Sequence, residues 1–404
     1  MDNQLYHQVV VIGGGAAGLG VAARLLRAGV KDVAIVEPSE QHYYQPFWTL
    51  VGGGVVDRAA SVRPMAGLIP KGAVWIKDAA AGFDPDNQQF TTQGGKTIRY
   101  GYLVVCPGLQ IDWDKIPGLK ESLGKNGVCS NYSYDSVDST YENIRNFKGG
   151  NAVFTFPPPP IKCAGAPQKI MYLAEEYFRK HGVRDQTRVI YYCATPSIFS
   201  VPHYAQALME QAVKPRGIEV FFKHVLVELR PDAKEAVFKN LENGELVIQP
   251  YDMIHAVPSM SAPDFLKNSP LGNEGGWVDV DKGSLQHVRH SNVFSLGDAS
   301  SLPTSKTAAA IRAQAPVLVA NLLSVMNGGQ PVATYDGYTS CPLITGYSKL
   351  ILAEFDYDLK PKETFPFDQS KERYSMYLLK RYLIPLIYWE GLLKGRTWPW
   401  LGQS

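Results

Sequence analysis

Gln8-Val-Val-Val-Ile-Gly-Gly-Gly-Ala-Ala-Gly18 is the stretch that decides the fold. Residues 8–12 form an apolar, β-branched run of strand length, 13–18 a glycine turn, and 19–28 a helical segment. Residues 31–36 then make a second apolar strand ending at Glu37. A strand–turn–helix–strand unit with GxGxxG and an acidic residue roughly 20 positions on is the dinucleotide-binding arrangement. Gly13 and Gly15 allow the turn and close approach of a pyrophosphate, Gly18 lets helix meet strand, and the helix N-terminus stabilises the phosphate charge. Glu37 is placed to accept hydrogen bonds from a ribose. A glycine turn that serves packing alone is the alternative; the complete unit around it favours an adenine dinucleotide.

Working outward, 404 residues predict two or two-and-a-half domains at roughly 100–200 residues each. A net charge of +2 supplies no whole-molecule field for nucleic acid. Five cysteines without a CxxC pair give no complete disulfide framework and no zinc-ligand spacing, and the histidines show no metal spacing either. No run of about 18 uninterrupted apolar residues occurs, so no simple membrane-spanning helix is expected. The N-terminus lacks the basic and apolar regions of a secretory signal. Residues 371–404, however, carry six basic and two acidic side chains among many Tyr, Leu, Ile and Trp, which points to a membrane surface.

Further segments define the architecture. Residues 102–108 read as a strand ending in Pro107-Gly108, and residues 292–298 as a strand presenting Asp298. Both resemble signatures of the glutathione-reductase-like flavoproteins, in which the aspartate holds the flavin's ribityl or phosphate portion. A helix starting near Ser305 would turn its positive end, with Lys306, toward the flavin pyrimidine edge; a solvated lysine is the alternative. A second βαβ frame is expected from strand 151–156, helix 168–181 and strand 188–192. Its turn, Pro157-Pro-Pro-Pro-Ile-Lys-Cys-Ala-Gly-Ala-Pro167, has lost the backbone donors a phosphate needs, so this unit is expected to bind no NAD.

The stretches IKCAGAPQKIMYLAEE, LPTSKTAAA, YDGYTSCPLITGY and ILAEFDY with ETFPFDQSKERYSMYLLK resemble the sulfide:quinone oxidoreductase family, the mitochondrial-type form above all, along nearly the whole chain. The resemblance implies FAD, a redox-active pair at Cys163 and Cys341, ubiquinone as electron acceptor, and monotopic attachment to a bacterial cytoplasmic or mitochondrial inner membrane. It implies that hydrogen sulfide opens the pair, leaving a persulfide on Cys341 and a thiolate on Cys163. The sulfane sulfur then passes to a small acceptor: glutathione, sulfite, coenzyme A or sulfide itself. A homodimer is compatible with it.

The residues themselves add detail. Cys163 lies in a loop leading into a helix, where the dipole and Lys162 are expected to depress its pKa. Cys341, between Ser340 and Pro342, reads as part of a turn. Cys106 and Cys193 end apolar strands and read as buried packing residues, whereas Cys129 lies in a polar stretch and is either a third redox cysteine or structural. His203 is either a general base or a structural histidine. The tail predicts two short helices, 374–383 and 386–394, broken by Pro385. Lys380, Arg381, Lys394 and Arg396 would edge them, with Trp389, Trp398 and Trp400 at headgroup depth; a packing hairpin is the alternative. Tyr347, Phe355, Phe365 and Phe367 are candidates to line a quinone slot.

The fold expected is therefore α/β, with two Rossmann-like dinucleotide folds of glutathione-reductase type and a C-terminal amphipathic membrane-attachment segment. The FAD domain comprises 1–112 and 285–335, the second domain 113–284, and the quinone and membrane region 336–404. Competing readings are a membrane NADH:quinone oxidoreductase of the same fold and a non-catalytic flavoprotein acting as redox sensor or sulfur carrier.

Overall fold

The strand Leu5–Ile12 lies between two parallel neighbours, with Val9 opposite Val33 on one side and Tyr102 on the other. Val9, Val10 and Val11 are inaccessible to solvent, as a near-continuous β-branched run in a doubly covered parallel sheet requires. The computed structural model describes residues 5–396. This sheet runs Ala73–Ile76, Val33–Val36, Leu5–Ile12, Thr97–Val105, Gln89–Thr92, Ala80–Asp84, with Val293–Ser295 also pairing in parallel with Thr97–Val105. The helix Ala16–Arg27 follows the glycine turn and packs against the long helix Ala308–Met326.

A second sheet is parallel throughout, in the order Val128–Cys129, Met253–His255, Gly150–Phe156, Thr187–Cys193, Glu219–Phe222. The helix Ala166–Lys180 makes the crossover between Gly150–Phe156 and Thr187–Cys193 and buries its apolar face. Both central strands and the helix fall within two residues of the sequence expectation. An antiparallel sheet of His224–Arg230, Glu235–Asn240 and Leu246–Pro250 flanks this unit.

One apolar helix needs explaining, and two expectations need correction. The helix Ala308–Met326 is long and apolar enough, by length and composition, to cross a membrane. Its packing is that of a core helix: Ile311, Ala315, Leu318 and Leu322 are buried, Gln314 accepts from the Gly297 amide, and Asn321 donates to the Ser284 and Ala333 carbonyls. Cys341 lies not in a turn but inside the strand Thr339–Gly346, which forms an antiparallel hairpin with Lys349–Phe355. Pro342 misled because it is rare in central strands, but a two-stranded ribbon leaves room for it. The tail is one helical run over residues 374–392, without a break at Pro385. Wide π-type turns at Leu379–Leu383 and Ile387–Leu392 flank Pro385 and accommodate a residue that has no N–H to donate.

Candidate active site

The glycine turn is built as its residue types require. Gly13 has φ +102°, and a Cβ there would lie 2.5 Å from the Cys106 carbonyl oxygen; one on Gly18 would lie 1.8 Å from the Gly13 oxygen. Among the described residues nothing lies within 4 Å of a Cβ built on Gly15, so they leave that side of the turn open. Glu37, at the end of the second strand, accepts from the Gly14 and Ser39 amides, both at 2.7 Å. From this turn a cavity of about 560 Å³ runs past Pro107, Gly108 and Asp298 to Lys306, Thr307 and Cys163. Burial raises the Asp298 carboxyl above the usual carboxylate range against the pull of Lys306 and Lys162. Lys306 donates to the Asp298 and Ser300 carbonyls and lies 4.0 Å from the centre of the Trp277 ring, and burial lowers its ammonium to about 8. It is a cavity residue rather than a solvated one. Thr307 caps the following helix by accepting from the Ala310 amide. An open glycine cradle continuing into a long cavity with a helix N-terminus at its far end fits an extended dinucleotide.

At that end stands Cys163, and Cys341, 178 positions away in sequence, lies behind it with the Sγ atoms 3.6 Å apart. The separation exceeds an S–S bond of about 2.05 Å, and neither cysteine is in a disulfide. Cys163 has φ +53° and is held by its amide donating to the Lys306 carbonyl. Gly165 makes the approach possible, because a Cβ there would sit 2.7 Å from the Cys341 Sγ. Its hydrogen bond with Cys341 and the Lys169 ammonium, 3.2 Å away, hold the Cys163 thiol well below its ordinary value. Cys341 moves the opposite way, raised first by that shared bond and then by burial. Of the two, Cys163 is the sulfur whose thiolate is favoured and Cys341 the one whose thiol is favoured.

Lysine roles differ from expectation. Lys162 turns away from Cys163: its Nζ donates to Gln45 Oε1 at 2.8 Å and approaches the Trp48 and Tyr132 rings. Lys169, missed in the sequence, takes its place. Lys380, expected at the edge of a surface helix, is buried and faces the same cavity, where burial and then the Lys169 cation bring its ammonium down to about 7. Trp389 is also buried, under the Arg63 guanidinium at 4.0 Å, and so does not stand at headgroup depth. Trp398 and Trp400 lie outside the described residues.

The hairpin divides the site into two sides. Ser340 and Pro342, with their cross-strand partners Glu354 and Leu352, line the cavity, whereas Cys341 packs with Leu343, Ile351 and Ala353 on the opposite face. Of the aromatic candidates for a quinone slot, Phe365 lines the cavity. Tyr347 instead donates to the Gly53 carbonyl, Phe355 packs on Phe199, and Phe367 lies stacked outside Phe365 under Arg373. The apolar wall is supplied by Leu352, Leu379, Ile384, Ile387 and Leu392. Their spacing in the tail is the signal that would have found them.

Among the remaining cysteines, burial raises Cys106, Cys129 (to about 12) and Cys193. Cys129 interacts with the Ile254 carbonyl in the second sheet and does not line the cavity. His203 is exposed and also does not line it; with Glu363 and Asp368 it forms a surface group that sequence spacing could not show.

A glycine cradle on one dinucleotide-type sheet, a second such sheet beside it and a long cavity that reaches Cys163, with Cys341 apposed, are the features of a dinucleotide-binding oxidoreductase. Residues 7–144 accordingly match the family model for pyridine nucleotide-disulphide oxidoreductases. Mitochondrial sulfide:quinone oxidoreductase of Mus musculus is 51% identical over 96% of this chain and 87% of its own length. The Dictyostelium discoideum counterpart is 52% identical over 98% and 87%. The solved sulfide:quinone oxidoreductase of Aquifex aeolicus superposes with a TM-score of 0.82 over 96% of this chain and 92% of that one, at 20% identity. The chain belongs to the sulfide:quinone oxidoreductase family.

Proposed function

We propose that this protein oxidises hydrogen sulfide at Cys163 and Cys341 and passes two electrons through FAD to ubiquinone. The observation that carries this reading is the cysteine pair, 3.6 Å apart beside Lys169, whose Cys163 member lines the far end of a cavity that begins at the glycine turn. Hydrosulfide attacks the oxidised pair at Cys341, forming a persulfide there and releasing Cys163 as thiolate. Lys169 stabilises that thiolate, and a raised Cys341 is the sulfur better left bound. The sulfane sulfur goes to a small nucleophile of the glutathione, sulfite, coenzyme A or sulfide class, and re-forming the Cys163–Cys341 bond releases two electrons. Flavin supplies the two-electron relay between thiols and quinone. Gly13, Gly15, Gly18, Glu37, Pro107, Gly108, Asp298 and Lys306 are the residues assigned to hold it.

The chain is assigned an FAD domain of 1–112 and 285–335, a second dinucleotide fold of 113–284 without an NAD site, and a C-terminal region of 336–404. Tyr374, Leu378, Tyr382 and Leu386 form an exposed apolar row at i, i+4 spacing. That row supports peripheral attachment to a membrane, the mitochondrial inner membrane or a bacterial cytoplasmic membrane, from which quinone enters along the inner face of the same helix. The test is anaerobic: sulfide added to purified holoprotein should bleach the flavin, and a short-chain ubiquinone should restore its colour. Bleaching by micromolar NADH instead would overturn the assignment.

A further inference from the structure

The second half of the tail helix reaches the glycine turn. Tyr388 and the His42 Nε2 are 2.7 Å apart, and the His42 Nδ1 lies 3.2 Å from the Gly14 carbonyl. A carbonyl only accepts, so Nδ1 carries the proton, Nε2 accepts, and the Tyr388 hydroxyl donates. Gly14 is thereby held twice, its N–H by Glu37 and its C=O by His42. Burial and the nearby Arg63 act against protonation and the Gly14 bond acts for it, with a net lowering to about 4, so the imidazole stays neutral at physiological pH. Around it Tyr44 packs on Tyr388 with ring centres 4.5 Å apart, and Trp389 lies edge-on at 5.7 Å. The tail also seats on the helix that follows the turn: a Cβ on Gly20 would lie 3.1 Å from the Leu392 carbonyl oxygen. The other face of the same helix carries the exposed apolar row.

We propose that His42 and Tyr388 are positioning residues of the dinucleotide site, tying its phosphate turn to the tail helix so that flavin retention and membrane docking are linked. The inference rests on the flavin and membrane assignments above. A turn held rigid before the ligand arrives loses less freedom on binding it. Whatever stabilises the docked helix stabilises the turn, and by reciprocity bound flavin strengthens membrane docking. Neither residue touches the reacting sulfur atoms; both act through Gly14.

The experiment follows flavin fluorescence as holoprotein releases its cofactor in mild chaotrope, with and without mixed phosphatidylcholine–phosphatidylglycerol vesicles. Vesicles should slow release from the parent several-fold. Tyr388→Phe keeps the ring and leaves Nε2 without its donor, so release in solution should be about tenfold faster and the vesicle effect should collapse. His42→Asn breaks the same link from its other end and removes the ring from the Gly14 carbonyl; it should release flavin in solution at least as fast as Tyr388→Phe and likewise lose the vesicle effect. Trp389→Phe, a packing change on the same helix, should lower Tm without a selective change in release. Parent-like release from folded Tyr388→Phe, or an undiminished vesicle effect in it, would overturn the proposal. Should Tyr388→Phe not fold, an undiminished vesicle effect in His42→Asn would do the same. A parent without flavin, or one that does not sediment with vesicles, would instead refute the functional reading on which the linkage stands.

Discussion

Lys169 serves Cys163 and Lys162 does not, because side chains on a helix lean toward its N-terminus. Lys169 lies in the first turns of Ala166–Lys180 and reaches back over the loop that holds Cys163, while its neighbour in sequence is carried away toward Gln45. Burial works against the Lys169 ammonium, but the Cys163 and Cys341 sulfurs hold it above its ordinary value, so it stays charged. A depressed thiol is reactive above its lowered pKa, so alkylation of Cys163 by iodoacetamide should remain fast below pH 8 and decline as protons return to sulfur. Lys169→Met removes the cation, moves that profile upward, and should slow labelling at pH 7 by about tenfold or more. An unshifted profile would remove Lys169 from the site. Cys163→Ser and Cys341→Ser should each abolish sulfide-dependent quinone reduction while flavin stays bound, checked by absorbance and turnover together. Gly165→Ala, which drives a methyl against the Cys341 Sγ, should slow re-formation of the disulfide, measured by thiol counting after reoxidation. Cys193 already has Thr195 and the Ser197 carbonyl as partners, so Cys193→Ser should be nearly neutral. Cys106→Ser places a hydroxyl in an apolar strand end and should cost about 1–3 kcal/mol by denaturant titration.

Elements were legible where one periodicity governed them. The glycine unit and the second βαβ frame are uninterrupted runs whose burial follows from composition, and both appear where expected. The hairpin was not, because its two faces serve different purposes. Alternation along Thr339–Gly346 sends Cys341 to one side and Ser340 and Pro342 to the other, so no single apolar pattern marks it as a strand. The pairing of Cys163 with Cys341 lies beyond local pattern altogether, since folding alone joins positions 178 apart. In the tail Pro385 signalled a break, and π-type turns kept the helix whole. That continuity brings Lys380 inward and leaves Tyr374, Leu378, Tyr382 and Leu386 outward.

At the scale of the molecule, the tail helix is both an outer surface and an inner wall. Deleting it would strip Ile387, Tyr388 and Leu392 from the cavity and the Tyr388 hydroxyl from His42, so truncation cannot separate membrane attachment from chemistry. Changing only the outward row can. Converting Tyr374, Leu378, Tyr382 and Leu386 together to Ser leaves every cavity contact in place. At about 1 kcal/mol for each partly inserted apolar side chain, vesicle partitioning should fall by roughly three orders of magnitude. Lys371, Arg373, Arg381, Lys394 and Arg396 remain available to attract anionic lipid, but that attraction is screened within about 8 Å at physiological ionic strength. The parent should therefore weaken in high salt without leaving the membrane, whereas the four-fold variant should elute with salt alone. In detergent both should show equal sulfide bleaching of the flavin, and with a short-chain quinone equal turnover. Only with a long-chain quinone confined to vesicles should the variant fail, because its acceptor then lies in a phase it no longer touches. A variant that still sediments in high salt and still reduces the confined quinone would show that the anchor lies off this row.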